Sequence, residues 1–501
     1  MTTSHLDSAI RLTVPTLLVA VVAVVSAIAC SSAAASQQVA EVTIGDAPAL
    51  GRHINQADID AGEVTLEELV AHGELLFTAQ FNTLDGAGRP ETTGVGDSPF
   101  RDRRDFPDNF NRVSGPDANS CAACHNIPRV GGAGDNVTNV FVDAENHPFV
   151  DFSGGAGDGF RTDLTLQTVG PERNSVSLFG SGLIEMLARE MTFDLQNTRD
   201  LALRDARESG QEITKSLSTK GVDFGYITVR PDGTIDTSAV EGVDSDLIIK
   251  PFHQKGAIVS LREFAVKGMN NHHGMQATER FRDGIDVDGD GYVDELTRGD
   301  LTALVVFMAT LPVPGQVLSA DPAARAAAER GEELFASIGC NSCHRSTLRL
   351  ESPFFTEPNP FNPPGKLKLS DVSRPLSIDL TAEGPGPFLT LEPDGTLLVP
   401  AFTDLKRHDM GPALDNEAVR QNGIATEEWL TRKLWGVASE APFLHHGRAT
   451  LISEAILLHG GEAEAHRAAY EELSPEDQAA VVEFIKTLQI LPEDALDVVV
   501  D

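Results

Sequence analysis

Four of the five cysteines in this chain fall into two copies of one pattern, Cys121-Ala-Ala-Cys124-His125 and Cys340-Asn-Ser-Cys343-His344. Two thiols three residues apart lie on one turn, where they can add to the two vinyl groups of a porphyrin. The His that follows then reaches the iron from the same side. The spacing predicts two covalently attached c-type haems, with His125 and His344 as proximal ligands. A zinc ribbon would need the two pairs to converge and does not require a His after each. A redox dithiol of thioredoxin type would want a β-α-β setting that the sequence does not show. The fifth cysteine, Cys30, sits at the end of the apolar N-terminal run, so none remains for a disulfide or a catalytic thiol.

A second chemistry is written in Asp286-Val-Asp-Gly-Asp-Gly-Tyr-Val-Asp-Glu295. Asp286, Asp288, Asp290 and Asp294 occupy positions one, three, five and nine of an EF-hand-type loop, Gly291 supplies the sharp turn at six, and Tyr292 offers its carbonyl at seven. Hard carboxylate oxygens suit Ca²⁺. Position twelve is Thr297, not Glu, so bidentate closure falls to Glu295 or to another segment. The other reading is a solvated acidic turn.

The elements that must position these groups repeat. Gly73-Glu-Leu-Leu-Phe77 before the first motif matches Gly331-Glu-Glu-Leu-Phe335 before the second. Each half ends on an apolar helix before a proline, at 299–311 and 474–488. In the latter Ser474 is the N-cap, Pro475 takes the first position, and Val481, Phe484, Ile485 and Leu488 share one face. His272-His273-Gly274 is matched by His445-His446-Gly447. The expected fold is mainly α: two cytochrome c-like haem lobes with long loops and minor β hairpins. The expected boundaries are a signal at 1–30, a linker at 31–64, an N-terminal haem domain with the calcium loop at 65–316, and a C-terminal haem domain at 320–501. Pro312–Gly315 reads as a hinge, Phe224–Ile235 as a hairpin with an Asp-Gly turn, and the Pro- and Gly-rich stretch 351–400 as surface loop.

The chain has 501 residues and a formal charge of −36. Such a surface repels nucleic acid and anionic membranes and suits cationic partners or a salty medium. The N-terminal apolar run up to Ala29 reads as an export signal. Ala27-Ile28-Ala29-Cys30 is similar to a bacterial lipobox, in which Cys30 is acylated and becomes the tether; cleavage near Ala33–Ala35 is the alternative. Either way the protein is expected outside the cytoplasm, in the periplasm or as an outer-membrane lipoprotein of a Gram-negative bacterium.

Phe179-Gly-Ser-Gly-Leu-Ile-Glu185, Arg407-His-Asp-Met-Gly-Pro412, Leu434-Trp-Gly436, Pro442-Phe-Leu-His-His-Gly-Arg-Ala449 and, above all, Glu454-Ala-Ile-Leu-Leu-His-Gly-Gly-Glu-Ala463 resemble the di-haem oxidoreductase family, often labelled thiol oxidoreductase. That family is related to bacterial di-haem cytochrome c peroxidases and to the methylamine dehydrogenase maturation enzyme. The resemblance runs from about 65 to 492. The chain departs from the family's Arg-Thr-Pro-Pro before Leu-Trp-Gly, having Leu430-Thr-Arg-Lys433. With every cysteine accounted for, the residues give the "thiol" label no support.

The resemblance implies a distal ligand for the second haem at His459, where relatives place Met or Tyr; Met410 is the competitor. Aligning the His-His-Gly marks puts no His at the equivalent place of the first lobe. That place falls near the loop at Asp286, which leaves the first haem an open sixth position. His147, His253 and His272 remain available there. Glu185 and Glu190 are candidates for the acid–base that moves a proton during O–O cleavage, and Trp435 for an electron relay between lobes. Calcium between the lobes would fix the inter-haem geometry. The expected function is a peroxidase-like oxidoreductase. A redox partner protein, a small cytochrome or cupredoxin, would reduce the second haem, and peroxide or a small-molecule substrate would react at the first. A peroxide-dependent oxidase of a protein or small molecule is a variant. A non-catalytic electron-transfer cytochrome and a calcium-dependent scaffold are the alternatives from other classes.

Overall fold

The computed structural model describes residues 44–88, 106–108, 117–135, 137–139, 171–417 and 420–500. The lipobox with Cys30, and His147, lie outside the described residues. From Ala47 onward the chain forms one unit. Its helices are α1 (Gln56–Ala61), α2 (Leu66–Thr78), α3 (Ser181–Ser209), α4 (Leu261–Gly268), α5 (Thr278–Phe281), α6 (Arg298–Ala309), α7 (Pro322–Ser337), α8 (Ile452–Leu457), α9 (Glu464–Glu471) and α10 (Pro475–Thr487). Helix outweighs strand, as expected. Among the described residues no helix is long and apolar enough to cross a membrane.

Two helix crossings repeat the sequence marks. Helix α2 lies across α6, and α7 across α10. Each is started by its own side chains. Thr65 and Glu68 form a capping box on α2, and Thr297 and Asp300 form one on α6. Asp321 caps α7 with Pro322 behind it, and Ser474 caps α10 with Pro475 behind it. The matched glycines are the contact points. A Cβ on Gly73 would lie 2.1 Å from the Ala303 carbonyl oxygen, and one on Gly331 would lie 1.9 Å from that of Ala480. Only glycine lets the backbones meet so closely. Thr297 is thus a helix cap, which is why the acidic loop has no Glu at its twelfth position.

Two hydrophobic clusters result. The smaller gathers Phe335, Phe402, Val437, Phe443, Tyr470, Val481, Phe484, Ile485 and Leu488 around α7 and α10. The larger is built on α2, α3, α4 and α6, with Leu183, Ile184, Leu187, Met191 and Leu195 of α3 buried at helical spacing.

Small sheets complete the fold. The hairpin expected at Phe224–Ile235 is present, with β4 (Val222–Val229) turning through Asp232-Gly233 into β5 (Ile235–Asp236); β3 (Ile213–Thr219) pairs on its other side. Residues 351–400 are not wandering surface loop. Strand β7 (Leu348–Leu350) pairs with β10 (Leu397–Val399), and β8 (Phe354–Glu357) with β9 (Leu376–Asp379). Leu348, Leu350, Phe355, Ile378, Leu397 and Val399 are all buried in the larger cluster. The hinge expectation also needs correction. Strand β6 (Gly315–Val317) follows Pro314 directly, and both β13 (Leu488–Gln489) and β14 (Val499–Val500) hydrogen-bond to it. The connection is held on both edges and is not a free pivot.

Candidate functional site

Each Cys-x-x-Cys-His motif opens on a single 3₁₀ turn, Cys121–Ala123 and Cys340–Ser342, and each lines its own cavity. The two cysteine pairs do not converge, which disposes of a shared zinc site. Burial pushes the Cys121 thiol up to about 12 and the Cys340 thiol up to about 11, the wrong direction for a redox dithiol.

The first cavity, of about 240 Å³, is walled by Leu178, Ile184, Ile258, Phe264, Leu304 and Met308 beside Cys121, Cys124 and His125. His125 Nδ1 stands 3.2 Å from the Gly132 carbonyl oxygen. A carbonyl only accepts, so Nδ1 carries the proton and Nε2 keeps its lone pair. Burial pulls the His125 pKa down to about 4, so the ring is neutral and fit to bind a metal.

The second cavity, of about 190 Å³, repeats this arrangement. His344 Nδ1 lies 3.2 Å from the Phe402 carbonyl oxygen, and burial, with His459 close by, brings its pKa down to about 4. His459 follows the end of α8, where its Nδ1 donates to the Ala455 oxygen at 2.8 Å and burial lowers its pKa. The His344 and His459 ring centroids are 6.4 Å apart. Two imidazoles sharing one ion need roughly that span, from two bonds of about 2 Å and the ~1 Å between each ring centre and its nitrogen. Apolar walls, neutral rings with a fixed tautomer and this spacing fit a haem. Met410 lines the same cavity, but the ring geometry favours His459.

No second ring stands across the first cavity in this way among the described residues. The ring neighbours of His125 are Phe77 and Phe264, each at 6.3 Å. The open place does not face Asp286, as the alignment of His-His-Gly marks suggested, because none of 286–295 lines the cavity; His253 and His272 do. The two marks are not placed alike. His272 and His273 end a π-helical turn, Met269–His273, with His273 Nε2 at 3.5 Å from Cys121 Sγ. His445 instead stacks on Trp429 with centroids 3.5 Å apart.

Glu185 and Glu190 lie outside both cavities, which corrects their acid–base assignment. Glu185 is sealed in the core, paired with Arg189 and accepting from the Leu261 amide at 2.7 Å and Asn359 Nδ2 at 2.8 Å. Glu190 pairs with Lys220 at 2.6 Å and accepts from the amides of Glu351 and Ser352. A buried carboxylate must find such donors, and here they are structural. Trp435 is buried in the larger cluster and lines neither cavity, though Arg432 and Lys433 before it line the first and Leu434 and Val437 the second. Gln254, Leu430, Thr431 and Arg432 line both, so one thin wall separates the two cavities.

In the acidic loop, oxygens of Asp286, Asp288 and Asp290 lie within 4.8 Å of one another. Glu295 is buried beside them, accepting from the backbone and side-chain nitrogens of Gln276, each at 2.7 Å. Burial, with Asp288 and Asp290 adding, pushes Glu295 up to about 9, and burial also raises Asp290. Carboxylates that resist ionisation together are ones a cation would relieve. Asp294 instead caps the Gly284 amide at 2.7 Å, and the Tyr292 side chain is exposed.

Residues 394–488 match a family model described as "Di-haem oxidoreductase, putative peroxidase". The matched span holds Met410, Leu430–Arg432 of the shared wall, Trp435 and His459. Among curated proteins there is no match. Of solved structures, hydrazine synthase of Kuenenia stuttgartiensis aligns at 13% identity with a TM-score of 0.35, over 89% of this chain and 97% of that one. A MauG-like protein associated with microbial copper homeostasis aligns at 14% identity with a TM-score of 0.25, over 66% and 94%.

Proposed function

We propose that this chain, whose residues 394–488 match the di-haem oxidoreductase model, is an exported, peroxidase-like di-haem oxidoreductase with one electron-accepting and one reacting site. The difference between the cavities carries the reading. His459 stands opposite His344 at 6.4 Å, whereas among the described residues His125 has no such ring across from it. Haem held through Cys121, Cys124 and His125, and through Cys340, Cys343 and His344, would supply one-electron redox chemistry at both places. His344 and His459 close the second site to substrate and leave it to take up electrons. The wall of Gln254 and Leu430–Arg432 keeps the passage to the first site short, and Trp435 is buried three residues beyond it in the chain. Peroxide is reduced at the first site, two electrons and two protons per H₂O₂ giving two waters.

The acidic surface suits a cationic donor such as a small cytochrome or cupredoxin. Asp286, Asp288 and Asp290, backed by Glu295, would hold Ca²⁺ next to the start of α6. The N-terminal run would direct export, and a lipid on Cys30, if that residue is acylated, would be the membrane attachment.

The test is the ferric spectrum of the full protein made in a host that attaches haem c. A high-spin component that responds to stoichiometric peroxide supports the enzyme. Purely low-spin haems inert to peroxide support an electron carrier, a reading favoured by His253 if it closes the first site.

A further inference from the structure

Splitting peroxide requires a group that takes the proton from the inner oxygen and hands it to the outer one. Glu185 and Glu190 are both spent on structural partners away from the cavity. His253 is in the cavity wall. Its backbone is left-handed, φ +62°, a conformation that a non-glycine side chain adopts at a cost and that clusters at working sites. The chain tolerates this in the tight Phe252–Ile258 bridge, where the Gly256 amide closes back on the His253 carbonyl at 3.1 Å. The ring packs edge-on against Phe264 with centroids 5.7 Å apart, and Phe264 in turn meets His125 at 6.3 Å. Among the described residues no group hydrogen-bonds either ring nitrogen, and neither nitrogen is among the sealed, unpartnered atoms. They therefore border open space, and the open space is the first cavity.

We infer that His253 is the acid–base residue of the first site, carrying the proton between the two oxygens of bound peroxide. This rests on the proposed peroxidase reading. Burial and the nearby Lys267, Arg173, His272 and His125 keep the ring neutral, holding its pKa down to about 3. It thus enters the reaction with a free nitrogen lone pair. No Asp or Glu lines this cavity among the described residues, so an anionic group bound there would raise the ring's basicity toward the working range. In the reaction the ring takes H⁺ from the inner oxygen and returns it to the outer one as the O–O bond breaks. The two electrons come from the two redox centres and ultimately from the donor protein, and both protons of the reduction come from solvent, since the one the ring moves already belonged to peroxide.

The test pairs His253→Gly with His253→Asn, since glycine prefers this backbone and asparagine tolerates it. The expected result is a fall of at least about a hundredfold in the rate of reaction with peroxide. Cyanide association, which also needs a proton removed from the incoming ligand, slows in parallel. The second-site spectrum stays unchanged, and the thermal midpoint of His253→Gly is level with or above that of the parent. A structural histidine would instead lower the midpoint and leave cyanide association alone. Variants that keep the parental peroxide and cyanide rates overturn the assignment. So does a new high-spin signal in His253→Gly where the parent has none, because the ring would then be an iron ligand. A parent inert to peroxide overturns the peroxidase reading itself.

Discussion

Gly331→Ala tests the helix crossing on which the second site is built. In an exposed helix interior this change stabilises by about 1 kcal/mol. Here the new methyl would lie 1.9 Å from the Ala480 oxygen, 2.5 Å from its carbonyl carbon and 2.9 Å from Phe484 Cβ. A carbon–oxygen contact needs about 3.3 Å, so α7 and α10 must part by an ångström or more. A gap of that size forfeits roughly a third of the dispersion attraction across it. Phe335, Val481, Phe484 and Ile485 are the buried side chains at the seam, with Phe335 and Phe484 ring centroids 5.4 Å apart. Their burial at about 2 kcal/mol each makes the loss about 3 kcal/mol. Set against the propensity gain, the net is about 2 kcal/mol destabilising. Urea unfolding followed at the second-site absorption band should show the midpoint fall. Phe335, Val481 and Ile485 line the second cavity, so the band itself should shift. A midpoint that rises, as propensity alone demands, would refute the close-crossing argument. Gly73→Ala, aimed at the Ala303 oxygen, should behave alike in the first half.

Three further outcomes follow from other parts of the molecule. His459→Gly should turn the second site from low-spin to high-spin, with added imidazole reversing it; an unchanged low-spin spectrum would hand the position to Met410. Saturating Ca²⁺ at a hundred times its Kd should stabilise by about 2.7 kcal/mol, read as a higher Tm lost in Asp288→Asn; a Tm indifferent to Ca²⁺ in the parent counts against the loop. His53 Nδ1 and His72 Nε2 hold the buried Asp300 carboxylate at 2.6 and 2.8 Å, and Asp300's hydrogen bond raises the His53 pKa while both histidines help lower that of Asp300. The His53 contribution is therefore full below its ordinary value of about 6.5 and fades as pH climbs through the raised one, while the Asp300 contribution fades only in acid. Tm against pH should flatten above neutrality in His53→Ala; an identical slope would exclude the contact as its source.

The residues named most securely from sequence are those whose chemistry is contiguous. A thioether-linked haem needs two thiols and an imidazole within five residues, so each motif shows itself whole. His459 is different: the family resemblance singles it out, because no spacing within the chain ties it to His344. Glu185 and Glu190 were misjudged because the partners that consume them, Asn359, Lys220 and the amides of 351 and 352, are supplied by tertiary folding. His253 was noted only as an available histidine. Its left-handed backbone and its face on the cavity exist only once Phe252 and Ile258 are paired. The strands inside 348–399 escaped notice because three or four residues, as in Leu348-Arg-Leu350, are too few for an alternation to register.

The β7–β10 pairing carries a consequence for how the molecule comes into being. It lies beyond the second haem motif in the chain, yet Leu348, Leu350, Leu397 and Val399 complete the core beside the first. As the polypeptide emerges from its N-terminus, that core stays unfinished until residue 399 has been made. A gene cut between the repeats would yield two fragments, each with bare apolar strands or an unfilled interior, and neither would mature alone.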